Sequence, residues 1–157
     1  NWNTRLLLAQ AIQSVLQTAG KLHTEITVVD NGSTDGSQAM LASRFPLVTL
    51  LQNQRNAGFA RANNQGAAIA RGAYLLLLNS DASLYPNALS AMLEIMQSRP
   101  KAGIVGANLR NPDGSFQASH TPFPTLRQEF LILTGLGRAL FGGHYPSRGP
   151  QERLGPQ

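Results

Sequence analysis

The sequence predicts an α/β fold: a mostly parallel sheet with helices on both faces. Three observations carry that expectation. Strand-like and helix-like segments alternate along the chain instead of falling in blocks. The run Leu75-Leu76-Leu77-Leu78 is apolar at consecutive positions, the pattern of a strand covered on both faces. Carboxylates stand at or just beyond the ends of apolar runs. Asp30 closes Ile26-Thr27-Val28-Val29, Asp35 follows in the next turn, and Asp81 comes shortly after Tyr74-Leu75-Leu76-Leu77-Leu78-Asn79. In open α/β sheets the carboxyl ends of the strands form the edge where ligands bind.

The elements follow in order. From Thr4 to Ala19, apolar residues at Leu7, Leu8, Ala11, Ile12, Val15 and Leu16 have helical spacing, with Asn3 or Thr4 as cap and Gly20 as stop. Glu25 to Asp30 reads as a strand. Asn31-Gly32-Ser33-Thr34-Asp35-Gly36 is a turn by composition and ends in residues that suit the cap of a helix over Ser37 to Arg44. Leu47 to Leu51 predicts a short strand, Asn53 to Gly58 a loop, and Ala60 to Arg71 a helix of small residues stopped by Gly72. After the strand at 75–78, Pro86 suits the first turn of a helix running to about Ser98. Gly103 to Ala107 predicts another strand, and Asn111-Pro112-Asp113-Gly114 a turn leading towards Phe116. Thr125 to Phe141 has a helical pattern, whereas Gly142 to Gln157 is loop-like, rich in Gly, Pro and Arg. A doubly wound sheet normally begins with a strand, yet Asn1-Trp2-Asn3 directly precedes a helix. Either that strand lies upstream of residue 1 or the sheet is built differently.

Bulk properties narrow the function classes. The 157 residues suit a single domain. The net charge of +5 comes almost entirely from arginines that are scattered, with no aromatic ladder between them, which argues against a nucleic-acid groove. It suits a small polyanion or an anionic membrane surface, or has no specific role. With no cysteine, disulfides and thiol catalysis are excluded. No stretch approaches the roughly 20 apolar residues that span a bilayer. The run from Phe130 to Leu136 is short enough to be a core helix or a segment lying on a membrane. His23, His120 and His144 lack metal-ligand spacing, and the Gly-x-Ser-x-Gly signature of serine hydrolases is absent.

Three stretches could carry chemistry. In the first, Asp30 could accept hydrogen bonds from a base or ribose, and Gly32 lets the backbone approach a ligand; a plain turn and helix cap would use the same residues. The second runs from Asn56 to Gly66. Asn63, Asn64 and Gly66 lower helix propensity by roughly 1–2 kcal/mol in total relative to alanine. Tight helix-to-sheet packing would explain Gly66 but not the paired asparagines. In the third, Asn79 and Asp81 resemble an Asp-x-Asp pair whose first member has become an amide. A hard cation takes oxygen ligands, commonly one or two carboxylates plus phosphate oxygens; the alternative is a helix cap ahead of Pro86.

As a set, Val28-Val29-Asp30-Asn31-Gly32-Ser33-Thr34-Asp35-Gly36-Ser37, the block from Asn56 to Gly66, and Leu76-Leu77-Leu78-Asn79-Ser80-Asp81-Ala82 resemble the family 2 inverting glycosyltransferases. The asparagine at 79 and the Gly58-Phe59-Ala60 run before paired asparagines are similar to the rhamnosyltransferase-type branch. The likeness covers about residues 1 to 120. It implies the nucleotide-diphospho-sugar transferase (GT-A) fold, with a nucleotide-sugar-binding domain over 1–120 and the start of an acceptor-side region over 121–157. Asn1-Trp2-Asn3 matches the end of the family's first strand, so the resemblance implies a chain truncated at both ends, that strand missing.

The resemblance also implies roles. Trp2 and Asn3 would lie near the base, and Asp30 would bond to base or ribose, with Gly32, Ser33 and Asp35 in the same loop. Asn56, Gly58, Asn64 and Gly66 would line the nucleotide-sugar pocket. Asn79, Ser80 and Asp81 would meet the diphosphate, Asp81 holding Mg²⁺ or Mn²⁺ and Asn79 serving as a weaker ligand. The implied partners are a nucleotide-diphosphate sugar and a saccharide or lipid-linked acceptor, with no nucleic acid. The expected location is cytoplasmic, with peripheral association at the inner face of the membrane left open. In an inverting transfer a carboxylate removes the acceptor proton; Asp113, Glu129 and Glu152 lie in no matching motif, so no base is assigned. Two alternatives stay open: a nucleotide-binding module without turnover, and a nucleotidyltransferase, whose usual glycine-rich basic loop is not found.

Overall fold

The computed structural model describes residues 1–118 and 124–141. They fall into two compact units, Asn1–Gly103 and a second from Ile104 onward. The first holds α1 (Arg5–Thr18), β1 (Thr27–Asp30), α2 (Ser37–Arg44), β2 (Thr49–Gln52), α3 (Phe59–Ile69) and α4 (Ala88–Ser98). The second holds a short antiparallel pair, β3 (Leu109–Arg110) with β4 (Phe116–Gln117), then α5 (Leu126–Leu133) and α6 (Leu136–Phe141). Residues 142–157, with their expected loop, His144 and Glu152, and also His120, lie outside the described residues.

β1 and β2 pair in parallel, Thr27 opposite Thr49 and Asp30 opposite Gln52, with α2 as the crossover. Parallel neighbours need such a crossover, because a tight turn can only reverse the chain. Alternation along β1 then divides its side chains between two faces. Val28 enters the core with Leu8 and Ile12 of α1 and Leu41 of α2, ringed by Ile26, Met40, Phe45, Val48 and Leu50. Val29 turns to the opposite face, where a Cβ on Gly66 of α3 would lie 3.4 Å from its Cγ2. The small sheet thus carries helices on both faces, and the glycine inside α3 marks its close approach to the strand.

Two expected strands do not form. Residues 75–78 and 103–107 make no ladder with any described segment, and Leu75 and Leu77 are 58% and 64% exposed. A continuous apolar run signals a demand for burial, but a strand also needs a neighbour with free backbone groups. The parallel sheet is therefore only β1-β2. The helix expected from Pro86 begins at Ala88, because Asn87 takes a left-handed conformation (φ 65°) that interrupts the turn. The helical stretch 125–141 is broken at Gly135 (φ 71°); α5 opens with a capping box between Thr125 and Gln128.

The start of α1 is capped from a distance. Thr4 occupies the N-cap position but makes no side-chain cap bond. Instead Asp35 Oδ2 accepts from Arg5 N at 2.7 Å, while its Oδ1 accepts from Ser37 N at 3.0 Å and Ser37 Oγ at 2.6 Å. One carboxylate thereby serves the first turns of both α1 and α2, where unpaired N–H groups and the helix dipoles favour negative charge. Partial burial would raise this carboxyl, but the bonds from Ser37 Oγ, Arg5 N and Ser37 N outweigh it and hold it below the ordinary carboxylate value. Its contribution is therefore present above about pH 4 and is lost as pH falls through the lowered value. Asp35→Ala should reduce the urea-unfolding free energy at neutral pH by about 1–2 kcal/mol, the loss of one to two caps. The deficit relative to the parent chain should shrink on acidification below pH 4; a deficit that is absent, or constant with pH, would contradict the double cap.

Candidate nucleotide-binding site

The loop after β1 is organised around one carboxylate. Asp30 is 0% exposed and accepts four hydrogen bonds. Oδ1 receives Asn1 Nδ2 at 2.7 Å and Ser33 Oγ at 2.5 Å. Oδ2 receives Ser33 N at 3.0 Å and Gln38 Nε2 at 2.5 Å. Burial would raise the carboxyl, but the bonds from Ser33 Oγ, Asn1, Ser33 N and Gln38 prevail and leave it lowered and ionised. Ser33 Oγ, having donated to Asp30, accepts from Asn1 Nδ2 at 3.0 Å and Asn3 N at 2.9 Å. Asn3 Oδ1 returns a bond by accepting from Thr34 N at 2.8 Å. Asn3 itself is left-handed (φ 53°), which turns the chain from the edge of β1 into α1.

Asn1 extends the ladder. Its amino group donates to Val29 O at 2.8 Å and its carbonyl accepts from Asn31 N at 2.8 Å, the pattern of a parallel neighbour of Asp30. These bonds lie on the edge opposite β2, since β2 uses the carbonyls of Ile26 and Asp30 through Thr49 N and Asn53 N. The side chain of Asn1 reaches further. Thr4 Oγ1 donates to Asn1 Oδ1 at 2.7 Å and lies 2.9 Å from Ser80 Oγ. A continuous chain, Asp30 to Asn1 to Thr4 to Ser80, thus ties the loop after β1 to the residue next to Asp81.

A second set of bonds brings in the 53–66 stretch. Asn53 Nδ2 donates to Asn31 Oδ1 at 2.8 Å and to Gln65 Oε1 at 2.9 Å, and Gln65 Nε2 donates back to Asn53 Oδ1 at 2.9 Å. Gly32 seals the loop contact: a Cβ there would lie 3.0 Å from Arg55 Cα and 3.1 Å from Gln54 O, and φ is +76°.

The residues named from the sequence fall into two groups. Asp30, Ser33, Asp35 and the side chain of Asn3 are spent on internal bonds. Asn56 Oδ1 is spent on Gly58 N at 2.9 Å, closing its own turn ahead of α3, and Gly66 packs on Val29. Trp2 (55% exposed), Asn64, Asn79 and Asp81 are open to solvent, and no hydrogen bond among the described residues occupies the Asp81 carboxylate. Ser80 is half-buried and bonded to Thr4. Asn1, Thr4, Asn31, Gln38, Asn53 and Gln65 hold the arrangement together without having been named as site residues; Asn1, Asn31 and Gln65 lie inside the stretches that carry the resemblance, and Thr4, Gln38 and Asn53 lie outside them. The one signal for Asn53 is its place just beyond an apolar run, separated from Leu51 by Gln52.

The donor set for a cation is one free carboxylate, Asp81, with the Asn79 amide oxygen two residues before it. Among the described residues no group of three or more His, Cys, Asp or Glu could hold a metal by itself. Such a sparse set fits Mg²⁺ or Mn²⁺ only in the mode where phosphate oxygens and water complete the shell.

Comparisons with known proteins identify the family. The family model for glycosyl transferase family 2 matches residues 1–149. An N-acetylglucosaminyl-diphospho-decaprenol L-rhamnosyltransferase of Mycobacterium tuberculosis is 32% identical over 83% of this chain. The succinoglycan biosynthesis protein ExoO of Rhizobium meliloti is 35% identical over 59%, and the glycosyltransferase GlyG of Streptococcus pneumoniae 27% identical over 73%. The chain spans 46%, 27% and 40% of the lengths of these relatives, respectively. Matched along nearly its whole length, the chain belongs to glycosyl transferase family 2.

Proposed function

We propose that this chain is the donor-binding portion of an inverting glycosyltransferase. It would move a sugar, rhamnose or another hexose, from a nucleoside diphosphate to a saccharide or lipid-linked acceptor. The observation that carries the reading is the convergence of three separated stretches: Asn1 and Thr4 link the Asp30 loop to Ser80, and Asn31 links it to Asn53 and Gln65. The relatives support the chemistry, above all the rhamnosyltransferase, whose name specifies a diphospho-decaprenol substrate. Such an acceptor would place the reaction at the inner face of a membrane by peripheral contact. Among the described residues no helix is long and apolar enough to cross one.

The roles follow from what each side chain has free. Trp2 offers an exposed indole face for a base to stack on. Asp30 acts from within, fixing Asn1, Ser33 and Gln38 so that the loop backbone is pre-set before a ligand arrives. Asn64 has an amide available for a sugar or ribose hydroxyl. Asp81, with Asn79 as a weaker ligand, would hold Mg²⁺ or Mn²⁺ on the diphosphate. When bound, that cation offsets the negative charge that grows on the leaving group. No acceptor-activating base is assigned: Asp113 Oδ1 is engaged by Ser115 N at 2.9 Å, and Glu129 lies in the first turn of α5.

The free edge of β1 supports one finer point. Asn1 pairs there as the last residue of a parallel strand would, and the apolar run 75–78 stands without a ladder partner. We infer that residues preceding Asn1 in a longer chain supply a further strand along that edge. Such a chain should protect the amides of Thr27 and Val29 from hydrogen exchange at least about tenfold more than the 157-residue chain, the signature of a newly closed ladder. Equal exchange rates would remove the extra strand.

For the donor site, UDP or dTDP should raise the melting temperature of the chain more with Mn²⁺ or Mg²⁺ than with EDTA. Asp81→Ala should remove the metal-dependent increment and leave the rest. Equal shifts with and without metal, in a chain that does bind nucleotide, would rule out Asp81 as the ligand. No shift under either condition would rule out the donor-site reading itself.

A further inference from the structure

The Asn53–Gln65 pair is the polar feature for which the motifs give no use. It joins the end of β2 to the middle of α3 and, through Asn31, to the end of β1. All three residues are shielded: Asn31 is 6% exposed, and Asn53 and Gln65 are half-buried. Every donor and acceptor position of the Asn53 amide facing this cluster is filled. Both of its N–H groups donate, to Asn31 Oδ1 and Gln65 Oε1, and its oxygen accepts from Gln65 Nε2. Directly beside the cluster, a Cβ on Gly32 would lie within about 3.1 Å of the backbone of Gln54 and Arg55, and Ala57 N donates to Asn31 Oδ1 at 3.5 Å.

We propose that Asn53 and Gln65 are positioning residues for the nucleotide-sugar site: their reciprocal amide pair fixes the 31–36 loop against the 53–58 loop. This inference rests on the donor-site reading above and adds Asn53, outside its motifs, and Gln65, inside the 56–66 block but given no role there. The physical reason lies in the choice of amides. A short apolar pair could fill the same gap but would leave Asn31 Oδ1, in a shielded place, with only the long bond from Ala57 N at 3.5 Å. A charged pair would be costly to desolvate. Reciprocal amides satisfy each other without charge and allow only one relative orientation, because rotating either by half a turn opposes oxygen to oxygen. Gln65 sits between the exposed Asn64 and the strand-packed Gly66, so its bond to Asn53 also sets the rotation of α3 that presents Asn64 to solvent.

The test is calorimetric titration of the 157-residue chain with UDP and with dTDP, in Mn²⁺, at a temperature well below each variant's melting point. Gln65→Leu and Asn53→Ala should each raise Kd by about five- to tenfold, the scale of one or two neutral hydrogen bonds. The double variant should be no weaker than the worse single variant, because both remove the same pair. Gln65→Asn, which keeps the polar group but shortens the arm, covers the case in which the first two do not fold; it too should weaken binding. Folded variants with parent-like Kd, or losses that multiply in the double variant, would overturn the positioning role, whatever happens to their melting points. Absence of nucleotide binding by the parent chain would instead overturn the donor-site reading, and this inference with it.

Discussion

A wholly buried carboxylate that has taken up four donors is the constraint around which the first unit is arranged. Burying an ionised group is costly unless each of its lone-pair directions finds a partner. For Asp30 those partners come from three places: Asn1 on the free edge of β1, Ser33 in the following turn, and Gln38 in α2. Satisfying one side chain therefore fixes the strand end, the turn and the helix start together. Loosening any one of them would leave charge partly uncompensated in a shielded place, so the loop has little freedom to rearrange.

The three aspartates of this unit divide along the same line. Asp30 is consumed by the loop and Asp35 by the two helix starts, and both are held below the ordinary carboxylate value by the bonds they accept. Asp81 is exposed and unbonded among the described residues. Under the proposed function the first two act as internal scaffolding and the third faces the ligand. The uncharged amides of Asn31, Asn53 and Gln65 join the loop after β1 to the end of β2 and to α3. Charge is thus kept at the solvent edge or fully compensated, and neutral hydrogen bonds set the spacing between loops.

Much of the local structure was legible in the sequence because it depends on local chemistry. The helical spacing from Leu7 to Leu16, the turn Asn31 to Gly36 and the helix Ser37 to Arg44 all stand where the residues indicate. For Gly66 the sequence left tight packing open beside a pocket role, and the space for a Cβ there ends 3.4 Å away at Val29 Cγ2, as close packing of α3 on β1 requires. The runs 75–78 and 103–107 misled, since apolar continuity reports how much burial a segment wants and says nothing of which backbone will pair with it. The cap of α1 was equally hidden: Asn3 and Thr4 stand at the right place, yet the carboxylate that serves Arg5 N comes from residue 35.

By itself the sequence carried the resemblance to the family, the order of its three motifs and the polar residue types they contain. A linear chain displays the identity and order of its residues, which is all that a resemblance of motifs requires. The tertiary structure alone decided which polar groups remain free. A carboxylate or amide reads the same in a sequence whether its lone pairs are filled or open, and only the fold brings Asn1, Gln38, Asn53 and Gln65 within hydrogen-bonding distance of partners 8 to 29 positions away.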